Sequence, residues 1–318
     1  MLPTRRRGSS GSISSKIMRT LGAKNIVAFA KRTEIATSAS QEVRHFANIS
    51  GNPLTEFQGL LNHQDNFLVW VDERHEKIVE QKNELLQLKG LANAGPGGAK
   101  EGTFVKYRWY AVQLVLLEAI NAFETFYKKT FIGLGVAVQD YVHPEEMNDA
   151  KIDARLLWSL TGQMSVPALL FEQSLFHDLE AIDKTAEMLI GKRRYNQKSE
   201  KNPLAERIRA LRAIFQIRHT LSHNNGLVTD SDAAKFKRLK FDITAKDIID
   251  PVKSSLGLAV FRELEAEAKD FTAWLAGATA AFLTKCSVDR GLVVHVAKRQ
   301  ELETLLGAHA CWANVPWA

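Results

Sequence analysis

Cysteine, proline and long apolar runs are scarce in this 318-residue chain, which has two cysteines and eight prolines. Cys286 and Cys311 are too few for a disulfide framework or a Cys-rich zinc module, and they point to a reducing compartment. The longest apolar candidate, residues 271–283, falls short of the roughly 18 residues a bilayer span requires and reads as a core helix. Acidic residues are missing before Glu34. What remains is ordinary for a globular protein. With 45% hydrophobic and 25% charged residues, the composition argues against wholesale disorder or a fibrous fold. The expectation is a soluble, cytoplasmic protein with no membrane partner.

The net charge of +6 is unevenly spread. Residues 1–50 carry nine Lys/Arg against Glu34 and Glu42, whereas the rest carries 33 basic and 34 acidic residues. The basic character therefore belongs to an N-terminal arm rich in Ser, Gly and Arg. Three readings of it stay open: a solvated flexible arm, a polyanion contact acting by counterion release, and an organelle-targeting segment.

Beyond the arm, apolar periodicity is helical nearly throughout. A long amphipathic helix is expected over about 53–91. The breaker cluster at 90–98 follows, where Gly, Asn and Pro crowd together and mark a linker. Further helices are expected at about 107–131, with Gly133 and Gly135 ending it, then at 153–160, 166–190, 204–223 and 256–283. Short extended pieces fit 239–243 and 291–296. No run of strands is available to build a sheet, so the fold class is all-α, a helical bundle. The organisation reads as a basic flexible arm (1–50), a long helix and Gly-rich linker (51–103), a helical bundle (104–285) and a C-terminal tail (286–318).

Several familiar patterns fail. The stretch 95–100 has glycines and Lys100 but lacks Gly directly before the lysine, a following Ser/Thr and a preceding strand, so it is no phosphate loop. Gly133 and Gly135 follow a helix and have no third glycine, which excludes a dinucleotide fingerprint. His219 and His223 have the i, i+4 spacing of helical zinc sites, yet no glutamate adjoins the first and no third ligand is evident. No Gly-x-Ser-x-Gly elbow occurs. The chain calls for no metal and no cofactor.

One helix concentrates the chemistry. At about 100° per residue, Ala210, Leu211, Ile214, Phe215, Ile217 and Leu221 share one broad apolar face. Arg209, Arg212, Gln216, His219, Thr220 and His223 form a polar stripe opposite. Arg218 projects among the apolar residues. Either its head reaches a carboxylate, with Glu118 and Glu124 as candidates, or its stem packs while the head reaches water. Asn224-Asn225-Gly226 stops the helix, with Asn225 or Gly226 suited to a left-handed cap. His223 therefore lies in the last turn, a residue type and place suited to proton transfer.

Three Arg/His pairs have four to six intervening residues: Arg212/His219, Arg218/His223 and Arg290/His295. The middle pair has the distinctive context: a helix, an adjoining polar residue, the Asn-Asn-Gly stop, and earlier apolar helices with Ala-Phe-Glu124-x-Phe. In these features residues 104–283 resemble the HEPN superfamily. The resemblance implies a HEPN-like helical bundle, here extended by a basic arm and one additional long helix, and commonly a homodimer whose Arg/His sets share a cleft. It further implies endoribonuclease activity without a metal, in toxin–antitoxin or phage-defence settings, with RNA as substrate and an antitoxin or regulatory protein as a further partner. Within it Arg218 and His223 are the expected catalytic residues, His219, Asn224 and Glu124 the supporting ones, and Arg209 and Arg212 the RNA contacts. Because the family includes members that only bind, a non-catalytic module holding RNA, nucleotide or a protein is the alternative.

Overall fold

The computed structural model describes residues 51–80, 100–143, 145, 165–171, 174–197, 202–253 and 256–318. The basic arm, the linker at 90–98 and the helix expected at 153–160 lie outside the described residues. Among those described, eight α-helices run in order: α1 (Pro53–Glu80), α2 (Lys100–Val138), α3 (Val166–Phe171), α4 (Leu179–Ile190), α5 (Ala205–Asn224), α6 (Asp230–Arg238), α7 (Leu256–Arg290) and α8 (Val296–Leu306). A 3₁₀ turn follows at Ala310–Asn314. The described residues hold no strand. Residues 239–243 form neither strand nor bridge, and the extended piece expected at 291–296 reduces to one isolated bridge, Val294 with Trp317; another joins Leu227 with Ile248. The fold is all-α.

The spine is α2. Leu116, Ile120, Phe123, Tyr127, Phe131 and Leu134 recur at helical spacing and are almost wholly buried, giving one apolar face for its neighbours to cover. Across it α1 runs antiparallel: Phe57 lies 5.6 Å from Phe123, ring to ring, and near the other end Arg108 reaches Asp72 at 2.7 Å. Glu56 and Lys129 form a second pair across the same seam. On the remaining sides α5 and α7 close the core, with Leu211, Phe271 and Leu275 fully buried.

Gly133 and Gly135 do not end α2, which continues to Val138. They are contact points. A Cβ on Gly133 would lie 2.4 Å from Leu305 Cδ1, and one on Gly135 would lie 2.7 Å from Pro167 Cβ. The missing side chains let α8 and α3 approach the spine closely, and that packing outweighs glycine's poor helix propensity.

The helix expected over 166–190 is two. The chain turns at Phe176 and His177 because Phe176 is buried against Phe131, with ring centroids 5.3 Å apart. Asp178 then caps α4, accepting the Glu180 N–H at 3.0 Å. Residues 286–318, expected to trail as a tail, instead complete the core. Leu302 and Trp312 are wholly buried, Trp312 donates its indole N–H to Gly307 O at 3.0 Å, and Ala318 N–H bonds to Val294 O at 2.9 Å. Likewise the first turns of α1 share this core through Phe57 and Leu61, so the boundaries drawn from sequence at 103 and 286 separate segments that pack together.

A candidate anion-binding and proton-transfer site on the fifth helix

The apolar face of α5 is buried as its periodicity requires: Leu211, Ile214, Phe215 and Leu221 all lie in the core. At its C-terminus Asn225 (φ 50°) and Gly226 (φ 83°) both adopt left-handed backbone, and both N–H groups return to Thr220 O. This is the stop that the Asn-Asn-Gly run demands.

The polar stripe is only partly at the surface. After Gly226 the chain folds back and α6 covers Gln216 and Thr220. Thr229 opens α6 with a capping box to Asp232. The Asp232 carboxylate is almost fully buried and collects amides from α5: Gln216 Nε2 at 2.8 Å and Asn224 Nδ2 at 2.9 Å, with Thr229 N–H at 3.2 Å. Burial pushes its pKa up, but the bonds from Thr229 and Asn224 outweigh this and hold it below the ordinary carboxylate value. Asn224, expected as a supporting residue of the Arg/His site, donates its amide to Asp232 and so ties α6 to α5.

Arg209 and Arg212, the expected RNA contacts, remain accessible. Arg209 pairs with Glu206 on its own helix, while Arg212 donates to the neutral Gln197 amide. Among the described residues no acid lies within ion-pair distance of Arg212.

Arg218 faces α2. Its Nε lies 3.7 Å from Glu124 Oε1, and its Nε and Nη2 approach Asn121 Oδ1 at 3.4 and 3.3 Å. The side chain keeps 28% exposure, so the stem packs while the head stays partly wet. Both sequence readings of this residue therefore apply together. Glu118, the other carboxylate considered, is exposed and makes no ion pair with Arg218.

His219 and His223 lie one turn apart, their rings tilted at 49° with centroids 4.8 Å apart, and both are exposed. Five residues of helix place His223 about 140° around the axis from Arg218 and about 7.5 Å along it. Arg218 and His223 therefore point to well-separated sides of α5. The His219 pKa is lowered from the ordinary imidazole value. Desolvation is the first cause, partial because the residue is exposed as a whole, and the charges of Lys235 and His223 follow. A lowered value favours the neutral ring, the form able to accept a proton.

One residue of the cluster was not foreseen. His177, from the turn between α3 and α4, points Nδ1 at Glu124 Oε2 from 3.8 Å. Glu124 Oε1 and His177 Nδ1 are both buried and have no hydrogen-bond partner among the described residues. The distances to Arg218 and His177 lie within ion-pair range but beyond hydrogen-bond range. No sequence spacing links residue 177 to 124 or 218, because only the burial of Phe176 brings the turn there.

A second polar cluster sits at the start of α5. Glu267 of α7 has no exposure and receives Arg194 Nε at 2.9 Å, Arg207 Nη1 at 3.1 Å and the Tyr195 hydroxyl at 2.8 Å. The Tyr127 and Tyr195 hydroxyls meet at 2.6 Å, and burial together with the Glu267 charge pushes both phenols well above their ordinary pKa. Asp183 receives the N–H groups of Arg194, Tyr195 and Asn196 at 2.8–2.9 Å. Nearly every bonding group here is satisfied, as befits a structural clamp that fixes where α5 begins.

Among the described residues no three His, Cys, Asp or Glu side chains converge as a metal-binding group, and no helix is long and apolar enough to cross a membrane. No family model, no curated protein and no solved structure matches this chain.

Proposed function

We propose that the chain is a HEPN-like endoribonuclease that needs no metal, acting on RNA as a homodimer in a toxin–antitoxin or phage-defence setting. The supporting observation is the state of Arg218. Its side chain is 28% exposed, yet among the described residues its only neighbours of opposite charge or accepting character are Glu124 and Asn121, all beyond 3.2 Å. A cation so weakly answered favours an arriving anion, and a phosphodiester oxygen offers shorter, charge-assisted bonds. RNA brings its own nucleophile, the 2′-hydroxyl, so the protein has only to move protons and stabilise charge. In this reading Arg218 holds the scissile phosphate and the developing phosphorane charge. His223 exchanges a proton with the 2′-hydroxyl or the 5′-leaving oxygen, and the neutral-leaning His219 supports it.

A labelled single-stranded RNA incubated with the protein in EDTA tests this. Cleavage is expected to leave 2′,3′-cyclic phosphate and 5′-hydroxyl ends, and Arg218→Ala or His223→Ala to slow it by about 10²–10⁴-fold with folding intact. Wild-type protein that leaves such RNA whole sinks the reading. The separation of Arg218 and His223 by about 140° around α5 favours a second reading, a non-catalytic module that binds RNA through Arg218, Arg212 and Arg209. Retained RNA binding without cleavage identifies it.

A further inference from the structure

Arg218 has histidines on two flanks. Along α5 itself stand His219 and His223, in ring contact at 4.8 Å and about 100° and 140° around the helix from Arg218. On the side toward α2 stands Glu124, 3.7 Å from Arg218 and 3.8 Å from His177. One carboxylate thus lies between a guanidinium and an imidazole, and it bonds neither at hydrogen-bond distance. Its Oε1, turned to Arg218, and the His177 Nδ1, turned to its Oε2, are buried polar atoms with no hydrogen-bond partner among the described residues. Such atoms are uncommon in folded proteins and call for an explanation. A fully made Arg–Glu–His network would explain itself as structure; an unmade one does not.

A carboxylate facing Nδ1 fixes the ring's orientation and, when the ring is neutral, puts its proton on that nitrogen. Nε2 is then the free acceptor, which is the arrangement of an oriented general base. The His177 side chain keeps 38% exposure although its Nδ1 is buried, so its solvent-facing part lies away from the carboxylate. Catalytic hydrogen bonds that are long without substrate commonly shorten when it binds.

We infer that His177 is a second proton-transferring residue of the Arg218 site, with Glu124 as its positioning residue. This inference rests on the phosphodiester reading of that site. In the reaction the 2′-oxygen bonds to phosphorus and the bond from phosphorus to the 5′-oxygen breaks. A proton leaves the 2′-hydroxyl for one neutral imidazole, and a proton from a second, charged imidazole passes to the departing 5′-oxygen. Such a displacement wants its base and acid on opposite sides of the phosphate. His177, reached from Arg218 through Glu124, and the His219/His223 pair, reached around α5, supply two separate imidazole positions within one subunit.

Two measurements test it on the full chain. First, in the EDTA cleavage assay, His177→Ala is expected to lower kcat about 100-fold or more with KM little changed, and Glu124→Gln to lower it about 10-fold. Unchanged melting midpoints show that the fold survives. Second, with histidines labelled in nitrogen-15, neutral His177 is expected as the Nδ1–H tautomer, shifting toward Nε2–H in Glu124→Gln. Uridine 3′-monophosphate is expected to move its resonances in wild type but not in Arg218→Ala. Cleavage that persists within about 2-fold in His177→Ala overturns the inference, and so do His177 resonances that ignore the nucleotide. If the wild type cleaves nothing yet its His177 responds to the nucleotide through Arg218, the ribonuclease reading falls, and the proton-transfer role with it, while the assignment of His177 to an anion site beside Arg218 stands.

Discussion

Replacing Glu267 with alanine removes the one carboxylate shared by Arg194, Arg207 and Tyr195, and the cost can be apportioned. Arg207 keeps Glu263 at 2.8 Å and Asp270 at 3.6 Å and is 24% exposed, so its share is about 0–1 kcal/mol. Tyr195 keeps the Tyr127 hydroxyl as a partner, for a loss of about 1 kcal/mol. Arg194 is different. Its side chain is 7% exposed and pairs with no other acid among the described residues. Burial pulls its pKa down, and the Glu267 hydrogen bond and charge more than reverse this. Stranding that guanidinium costs about 3–4 kcal/mol. The sum, about 4–6 kcal/mol, corresponds to a midpoint lower by about 8–24 °C in a domain of this size. Equilibrium unfolding in urea, followed by circular dichroism, reads it directly. Pairing Glu267→Leu with Arg194→Met removes both charges together and is expected to recover most of the loss, since a buried pair exchanged for apolar side chains is often neutral. A Glu267→Ala protein within about 1 kcal/mol of wild type refutes the idea that this clamp fixes the start of α5.

Two further outcomes follow from neighbouring features. The Asp232 pKa is lowered from 3.8, so its contribution is full above that value and is lost as pH falls through the lower folded value. Asp232→Asn is expected to be the less stable protein near neutrality, with the gap narrowing below about pH 4, as read by denaturation at a series of pH values. Glycine-to-alanine changes inside two helices are expected to differ in sign. Gly277 of α7 has nothing within 4 Å of an added Cβ, so Gly277→Ala gains about 1 kcal/mol of helix propensity. Gly135→Ala meets the rigid Pro167 ring at 2.7 Å and is expected to lose about 1 kcal/mol net, with thermal melts of both variants as the check.

The contrast between those two glycines shows what a linear pattern conveys. The apolar stripe of α5 and its Asn-Asn-Gly stop depend on residues a few positions apart, and both appear where the spacing puts them. Glu124 too was named as a partner for Arg218 from its place on the preceding apolar helix, and it lies 3.7 Å away. Gly133 and Gly135 looked like terminators because nothing local reveals that Leu305 and Pro167 will press against them. Gln216 and Thr220 looked like members of an open polar stripe because the covering by α6 depends on Asp232, whose buried carboxylate gathers amides from the preceding helix. His177 and the Glu267 clamp were silent for the same reason. Their partners are separated by 53 and by 60 or more positions, and only tertiary closure unites them. The turn at Phe176 was legible in principle, since Asp178 followed by Glu180 is a capping signal.

An unbroken α2 has a consequence for how the site adapts to a ligand. Asn121 and Glu124 are carried mid-length on a rod of about 58 Å, pinned by α8 and α3 where its glycines admit them. Neither residue is free to travel. Arg218 is equally constrained, because the helix bearing it is clamped where it starts and capped where it stops. The turn carrying His177 is anchored too, by buried Phe176 on one side and the Asp178 cap on the other, so closing the gaps around Glu124 falls to rotation of side chains and not to travel of the backbone.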